Sequence, residues 1–508
     1  MTDTALNVDA AKVFWWRERS VWVMAFLGFS ASIPLWLVFS TLSVWLREAG
    51  VERSTVTYFS WAVLGYSFKF VWAPLVDKLP IPFLTRIFGR RRGWMLLSQF
   101  AVIAGIVTMA MTDPSSDLRF MALAAVLLGF SSATQDIVID AYRIESAKPR
   151  LQAMLASTYI AGYRIGQIVA VAGGLTIAEW LGSTAESYSY SAWQTAYLIL
   201  AAVMLVGVFT TLSISEPESV VSEHTYPTVD YIKFFTIFLL SISVLVLVFS
   251  VTTTPILFEG NMQKVFGFLF GTVQLVFALI CAWSVARLAN VMGLINKKMV
   301  FQNYQEPISD FFSRYGKIAI WVLVLIGFYR ITDIVQGVIA YVFYIDIGYT
   351  KAEIASITKV FGIIVTIAGS FLGGMLTLRY GVMRVLMLSA IMVSLTNLIF
   401  VWLANSEAEI WRLVVAIVID NLAQGISLAV FVAWLSSLTN ISFTATQYAI
   451  FSSLMTLFPK LIGGYSGTMV DAVGYSYFFI FASALSLPVI ALIYFLSKRL
   501  EFKTPEIA

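Results

Sequence analysis

Residues 20–46 read SVWVMAFLGFSASIPLWLVFSTLSVWL. A helix crossing a hydrocarbon core of about 30 Å needs about 20 consecutive apolar residues, and this run exceeds that. Comparable runs follow at about 55–77, 93–112, 117–142, 152–182 and 190–214, then 233–257 and 265–288. Six more lie at about 317–345, 352–377, 382–404, 410–438, 443–470 and 474–497. In hydrocarbon every backbone N–H and C=O must be satisfied within protein, which leaves helices or closed barrels. Barrel strands alternate apolar and polar residues over about 10 positions, and these runs do not. The sequence therefore predicts an all-α polytopic membrane protein of about fourteen helices.

Composition agrees. Of 508 residues, 59% are hydrophobic and 12% charged, with a mean hydropathy of +0.84; soluble domains are about a quarter charged. A single cysteine, Cys281, and a single histidine, His224, exclude an internal disulfide and zinc clusters of Cys and His. No metal site or cofactor is expected. A membrane-bound glycosyl- or acyltransferase would need a polar loop presenting acids or histidine at the interface. The odd-numbered loops are short, and no nucleophile–base arrangement is visible, so the expectation is not an enzyme.

Lysine and arginine set the orientation. With the N-terminus in the cytoplasm, the tail and even-numbered loops collect Lys12, Arg17, Arg19, Arg90, Arg91, Arg92, Lys148, Arg150, Lys297, Lys298, Lys498 and Arg499. The odd loops hold Arg47, Arg53, Arg119, Lys264, Lys351 and Arg412. This bias fits the positive-inside rule with both termini cytoplasmic. Residues 1–19 show no cleavable-signal pattern and are expected to form a cytoplasmic tail. The division is a tail (1–19), a six-helix bundle (20–215), a linker (216–232), an inserted transmembrane hairpin (233–289), a second linker (290–316), a second six-helix bundle (317–497) and a tail (498–508).

The two bundles echo each other. The second helix carries Lys69 and ends at Asp77, before Gly89-Arg90-Arg91-Arg92; its counterpart carries Lys359 and ends near Gly373-Gly374, before Arg379 and Arg384. The fourth helix bears Asp136 and Asp140, and its counterpart bears Asp420 and Gln424 at the same spacing. Repeated halves with a binding site between them are characteristic of secondary transporters. The repeat and the buried acids argue against a passive channel.

An ionisable group at bilayer depth costs at least about 2.5–3.5 kcal/mol, so it persists where it faces a cavity, pairs or carries protons. Asp136, Asp140 and Arg143 share one helix face by their i, i+4, i+7 spacing, with Gln135 beside them. Asp136, Asp140 and Asp420 are the candidate proton carriers, although Asp140 with Arg143 also reads as a structural ion pair. Lys69 and Lys359 could pair with these acids or hold an anion. Arg164, within Gly162-Tyr163-Arg164-Ile165-Gly166, offers a bidentate grip on a carboxylate. Arg330 and Asp333 read equally as a folded-in pair or a substrate contact. Lys460 lies within a span. Tyr163, Gln135, Gln167, Gln336, Gln424 and Gln447 suit sugar hydroxyls and acetamido groups, or simply helix–helix hydrogen bonds.

The Asp77…Gly89-Arg90-Arg91 loop, with Arg379 and Arg384 in the second copy, resembles the major facilitator motif between helices two and three, where an acid and arginines lock adjacent helix ends. Residues 79–88 interrupt the first copy, and Leu378 replaces the acid in the second; as plain anchors the arginines would look the same. Several stretches further resemble the AmpG family of muropeptide permeases: Gly28-Phe29-Ser30-Ala31-Ser32-Ile33-Pro34-Leu35, Phe68-Lys69-Phe70-Val71-Trp72-Ala73-Pro74-Leu75-Val76-Asp77, Ser132-Ala133-Thr134-Gln135-Asp136-Ile137-Val138-Ile139-Asp140, Gly162-Tyr163-Arg164-Ile165-Gly166 and Phe443-Thr444-Ala445-Thr446-Gln447-Tyr448. The resemblance implies a major facilitator fold, a monomer in the bacterial inner membrane surrounded by lipid, and proton symport. Its cargo would be N-acetylglucosaminyl-1,6-anhydro-N-acetylmuramic acid, with or without stem peptide, imported for cell-wall recycling that bears on β-lactam resistance. No nucleic-acid partner is implied. The Ser-x-x-Gln-Asp-Ile run also resembles related acetyl-CoA transporters, so another anionic solute, an acyl-CoA or sugar derivative, remains the alternative.

Overall fold

Continuous apolar sequence becomes helix throughout the computed structural model, which describes residues 15–51, 59, 65–184, 187–217, 226–251, 260–463 and 466–499. The helices are α1 (Arg19–Glu48), α2 (65–78), α3 (Arg90–Ala110), α4 (Leu118–Glu145), α5 (Pro149–Trp180) and α6 (Tyr190–Ser213). Next come α7 (Thr228–Val251), α8 (Gly260–Val291) and α9 (297–315). They are followed by α10 (319–346), α11 (351–380), α12 (Val382–Ala404), α13 (Ile410–Leu438), α14 (Thr444–Gly463), α15 (Ser466–Ala484) and α16 (Ser486–Arg499). Among the described residues, 10 helical stretches are long and apolar enough to cross a membrane. The other predicted segments are helical over their described parts, as α2, α7, α8 and α14.

The chain divides into two compact units, Met1–Val220 with Tyr315–Ala508, and Val221–Arg314. Within the second, α7 packs along α8, Asn296 Nδ2 donates to Asp230 Oδ2 at 2.9 Å, and Phe234 lies 5.9 Å from Tyr304. The stretch 297–315, expected as linker, is helical. Asn296 Oδ1 caps its start by accepting from Lys298 N at 3.1 Å. Its charges sit on a helical face, which a count of polar residues cannot distinguish from a loop.

In the first unit the two halves use equivalent pairings: α3 against α4 and α12 against α13, α1 against α5 and α10 against α14. Glycines permit the tightest approaches. A Cβ on Gly162 would lie 1.8 Å from the Ala25 carbonyl oxygen, and one on Gly425 would lie 2.3 Å from that of Thr366. Gly162→Ala should force α1 and α5 apart at a cost of about 1–3 kcal/mol or more. A thermal melt in detergent should show a midpoint several degrees lower, whereas Gly337→Ala, with nothing within 4 Å of the new Cβ, should melt like the parent.

Local chemistry shapes the helices near the site. Pro74 has no N–H and crowds the carbonyl four residues back, so α2 tightens into a 3₁₀ turn at Lys69–Val71 before resuming at Ala73–Lys78. Trp72 Nε1 then anchors α2 to α4 through Thr134 Oγ1 at 3.1 Å. Wider π turns interrupt α1 at Leu37–Thr41 and α5 at Val169–Gly173. They meet where Thr41 Oγ1 donates to the Ala170 carbonyl at 3.0 Å. Beyond the spans, burial pushes the Asp113 carboxyl up, but donors from Ser115 and Tyr188 outweigh this and hold it below the usual range. That tie joins the α3–α4 loop to the α5–α6 loop, with Tyr188 OH 2.7 Å from Asp113 Oδ1.

Candidate functional site

The 3₁₀ turn in α2 carries Lys69 onto the charged face of α4. Its Nζ lies 2.8 Å from Asp136 Oδ2 and 3.5 Å from Asp140 Oδ2. Arg143 Nη2 completes the row, 3.3 Å from Asp140 Oδ1. Two cations and two carboxylates thus alternate and balance. Tyr159 on α5 donates its OH to Asp136 Oδ1 at 2.9 Å, and a turn above, Tyr66 and Ser132 share a hydroxyl hydrogen bond. Only Asp136 keeps appreciable access: its side chain is 17% exposed, against 9% for Asp140 and 4% for Lys69. Asp136 is thus the most accessible member of the row.

A second charged layer lies at the ends of α2 and α4. Arg91 Nη2 is 2.8 Å from Asp77 Oδ1, and its Nε donates to Glu145 Oε2 at 3.0 Å. Arg90 Nη1 donates to the Asp77 backbone carbonyl. Asp77 also reaches the other half of the protein. Its Oδ1 accepts from Ala445 N at 3.0 Å, and its Oδ2 accepts from Thr446 N at 2.7 Å and Thr446 Oγ1 at 2.6 Å. The first N–H groups of a helix have no partner within it and attract anions. Asp77 therefore caps α14 from across the interface. Glu216 does the same for α3, accepting from Arg91 N at 2.7 Å and Arg92 N at 3.0 Å. Gly89 makes room for it: φ is +87°, and a Cβ there would lie 2.5 Å from the Glu216 side chain.

The halves also meet where Ser157 Oγ on α5 donates to the Ser370 carbonyl on α11 at 2.6 Å. Arg143 crosses too, its Nη2 donating to Ser436 Oγ at 3.4 Å and its guanidinium lying 5.0 Å from the Tyr448 ring.

The other singled-out residues are placed differently. Asp420 is buried and accepts from Gln424 Nε2 at 2.7 Å; among the described residues no cation pairs with it. Arg330 sits at a break in α10 and pairs loosely with Asp333, 3.8 Å away. Arg164 Nη1 donates to Gln167 Oε1 at 3.0 Å. Arg164 and Arg330, from opposite halves, lie within range of each other's charge. Gln135 is fully buried and donates to Ser30 Oγ at 3.1 Å, its own Oε1 having no partner among the described residues. Gln447 Oε1 accepts from Asn440 N at 2.8 Å, a contact that secures the turn before α14. Tyr163 stacks obliquely on Tyr159, with centroids 6.1 Å apart. Gln336 is buried. Arg379 and Arg384 are exposed, Arg379 lying 5.3 Å from the Tyr380 ring. The side chains of Lys359 and Lys460 lie outside the described residues.

Sequence reading gave no role to Tyr159, Ser436, Glu145 or Glu216, nor to Thr446 and Tyr448, which stand in a stretch that resembles the permease family. Tyr159 had a signal, standing four residues before Tyr163 on one helix face. The others enter through contacts between residues distant in sequence.

The sequence pattern of the Major Facilitator Superfamily matches residues 24–329 and 322–507. The chain is 30% identical over 490 residues to "Putative transporter AmpG 4" of Rickettsia felis, covering 96% of this chain and 99% of the relative. It is 28% identical over 482 residues to the anhydromuropeptide permease of Escherichia coli K12, covering 94% and 80%. Among solved structures, the proton:xylose symporter XylE superposes with a TM-score of 0.59 at 12% identity, covering 94% of this chain and 95% of that one. FucP, solved in the outward conformation, gives 0.56 at 11% identity, covering 94% and 99%. At such identities these structures speak to the fold alone.

Proposed function

The chain belongs to the Major Facilitator Superfamily and, within it, to the AmpG-type family, and from that premise we propose that it is a proton-coupled importer of cell-wall anhydromuropeptides. The observation that carries the coupling is the balanced row of Lys69, Asp136, Asp140 and Arg143 beside the interface between halves, with Asp136 as its wetted member. Reversible protonation of a carboxylate next to a fixed cation is what a proton symporter requires. Asp420 serves as the acid of the second half.

The cargo reading rests on the E. coli relative's name and on cations placed for an anion. Arg164, Arg330 and Lys359 hold the carboxylate of the anhydro-muramic acid unit, and Lys69 is exposed to it when an acid is protonated. Tyr163, Gln135 and Gln424 meet the sugar hydroxyl and acetamido groups, whereas Gln447 is held by the turn before α14. Asp77, Arg90 and Arg91 form the gate; Arg379 and Arg384 are its weaker counterpart. Both termini and this gate face the cytoplasm by the positive-inside rule. The conformation described here, with α2 joined to α14, is then closed to the cytoplasm and receives cargo from the periplasm. The protein works as a monomer in the bacterial inner membrane and feeds peptidoglycan recycling.

The test is uptake of labelled anhydro-disaccharide into proteoliposomes under an imposed pH gradient. Accumulation should vanish with an uncoupler and fall with unlabelled disaccharide but not with free stem peptide or acetyl-CoA. Competition by acetyl-CoA alone would replace the cargo, and gradient-independent equilibration would replace symport by a channel.

A further inference from the structure

We propose that Arg143 transmits the charge state of the Asp136–Asp140 site to the second half of the protein, so that protonation loosens the joint between α4 and α13–α14. The inference rests on the reading of these acids as proton carriers. Arg143 is 1% exposed and touches both halves. Within its own half it meets Asp140 Oδ1 at 3.3 Å and lies 5.8 Å from the Tyr159 ring. Across the interface it meets Ser436 Oγ at 3.4 Å and lies 5.0 Å from the Tyr448 ring.

The groups facing this site from each packed element are Tyr66 and Lys69 on α2, Asp136 and Asp140 on α4, Tyr159 and Tyr163 on α5, Ser436 on α13 and Tyr448 on α14. Among the described residues the formal charges of the row are two cations and two carboxylates. When one carboxylate takes a proton, the buried site carries one uncompensated positive charge, a strongly unfavourable state. Among the described residues the second half offers only hydroxyls, from Ser436 and Tyr448, and an aromatic face. Both favour a guanidinium, but neither replaces an anion. The imbalance is relieved when water reaches Arg143, which means parting α4 from α13 and α14, or when an anionic cargo settles beside it. Proton and anion thereby become mutually dependent ligands, linked through one residue. Tyr448 lies two residues beyond Thr446, which Asp77 holds, so the start of α14 is gripped by both charged layers at once. Releasing Arg143 leaves the grip of the Asp77 layer, with Lys78 lying 4.9 Å from the Phe443 ring beside it.

Spin labels at the exposed positions Lys148 and Ile441, one in each half, in a Cys281→Ser background report this movement. In the parent the distance distribution should lengthen between about pH 8 and pH 5 and revert on return. Arg143→Gln should abolish that response, and Arg143→Lys should diminish it, because an ammonium lacks the planar stack. Tyr448→Leu, which leaves both acids and Arg143 in place, should also diminish it and serves if the glutamine variant does not fold. Proton-driven uptake by the parent is measured in the same preparations. Parent uptake with a pH response that survives in Arg143→Gln, or in both Arg143→Lys and Tyr448→Leu, overturns the role of Arg143. Absence of proton-driven uptake in the parent overturns the symport reading and this inference with it.

Discussion

Replacing Asp136 by Asn should collapse gradient-driven accumulation to simple equilibration while leaving exchange of cargo across the membrane intact. With one proton moved per monoanionic cargo, transport is electroneutral, and each pH unit of gradient is worth about 1.4 kcal/mol, or about tenfold in concentration. The parent should approach that ratio, and the variant should settle near unity. Asparagine keeps the shape of the side chain and its contact with Tyr159. Lys69 retains Asp140 at 3.5 Å, so the row is not left without an acid. The site then carries the charge of the proton-loaded form permanently, which permits carriage of cargo in both directions but no coupled cycle. Uptake with and without a pH gradient, set beside counterflow from preloaded vesicles, separates the two. Wild-type accumulation in Asp136→Asn would remove this residue from the coupling scheme. Asp420→Asn should also lose accumulation if the second acid is part of the same cycle.

The second large effect is expected at the gate. Asp77→Ala removes the partner of Arg91, the trans cap of Ala445 and Thr446, and the acceptor for the Thr446 hydroxyl together. A lost cap costs about 0.5–2 kcal/mol, and breaking a buried ion pair costs about 3–5 kcal/mol. The Asp77–Arg91 pair lies within the first half and Glu145 remains on Arg91, so the loss that bears on the closed state is that of the three hydrogen bonds from Ala445 and Thr446, about 2–3 kcal/mol. Because these contacts join the halves only in the closed arrangement, the loss falls on that state. By about 1.4 kcal/mol per factor of ten, the closed population should drop about 30- to 150-fold relative to the open one. Thiol labelling of a cysteine placed at Ser157, buried where α5 meets α11, should accelerate from the Asp77 end in a Cys281→Ser background. Arg379→Ala, an exposed residue of the second copy, should change labelling little. Equal labelling of parent and Asp77→Ala would remove Asp77 from the gate.

Much of the site could be read along single helices. The spacing of Asp136, Asp140 and Arg143 placed them on one face of α4, and the Asp140–Arg143 pair lies there at 3.3 Å. The position of Lys69 within an apolar run required a partner, and the acids were the available candidates. What could not be read was which residues on other helices touch that row. Tyr159 lies 23 residues from Asp136, and Ser436 lies 293 residues from Arg143. The gate divided in the same way. Asp77 with the arginines was legible as a motif, but Thr446, 369 residues away, was not. Gln447 shows the converse, since composition suggested a sugar-binding amide and its Oε1 is engaged by the Asn440 backbone.

Run length and the need to satisfy backbone groups in hydrocarbon already place this chain in the membrane as helices. Sequence also settles which charges share a face, because 3.6 residues per turn is a local rule. Tertiary structure alone decided which face meets which. The close approach at Gly162, the 3₁₀ turn that swings Lys69 toward α4 and the capping of α14 by Asp77 all depend on packing between distant segments. Helix periodicity carries no information about the partner across an interface, and it is at that interface that a carboxylate gains the cations that make it useful.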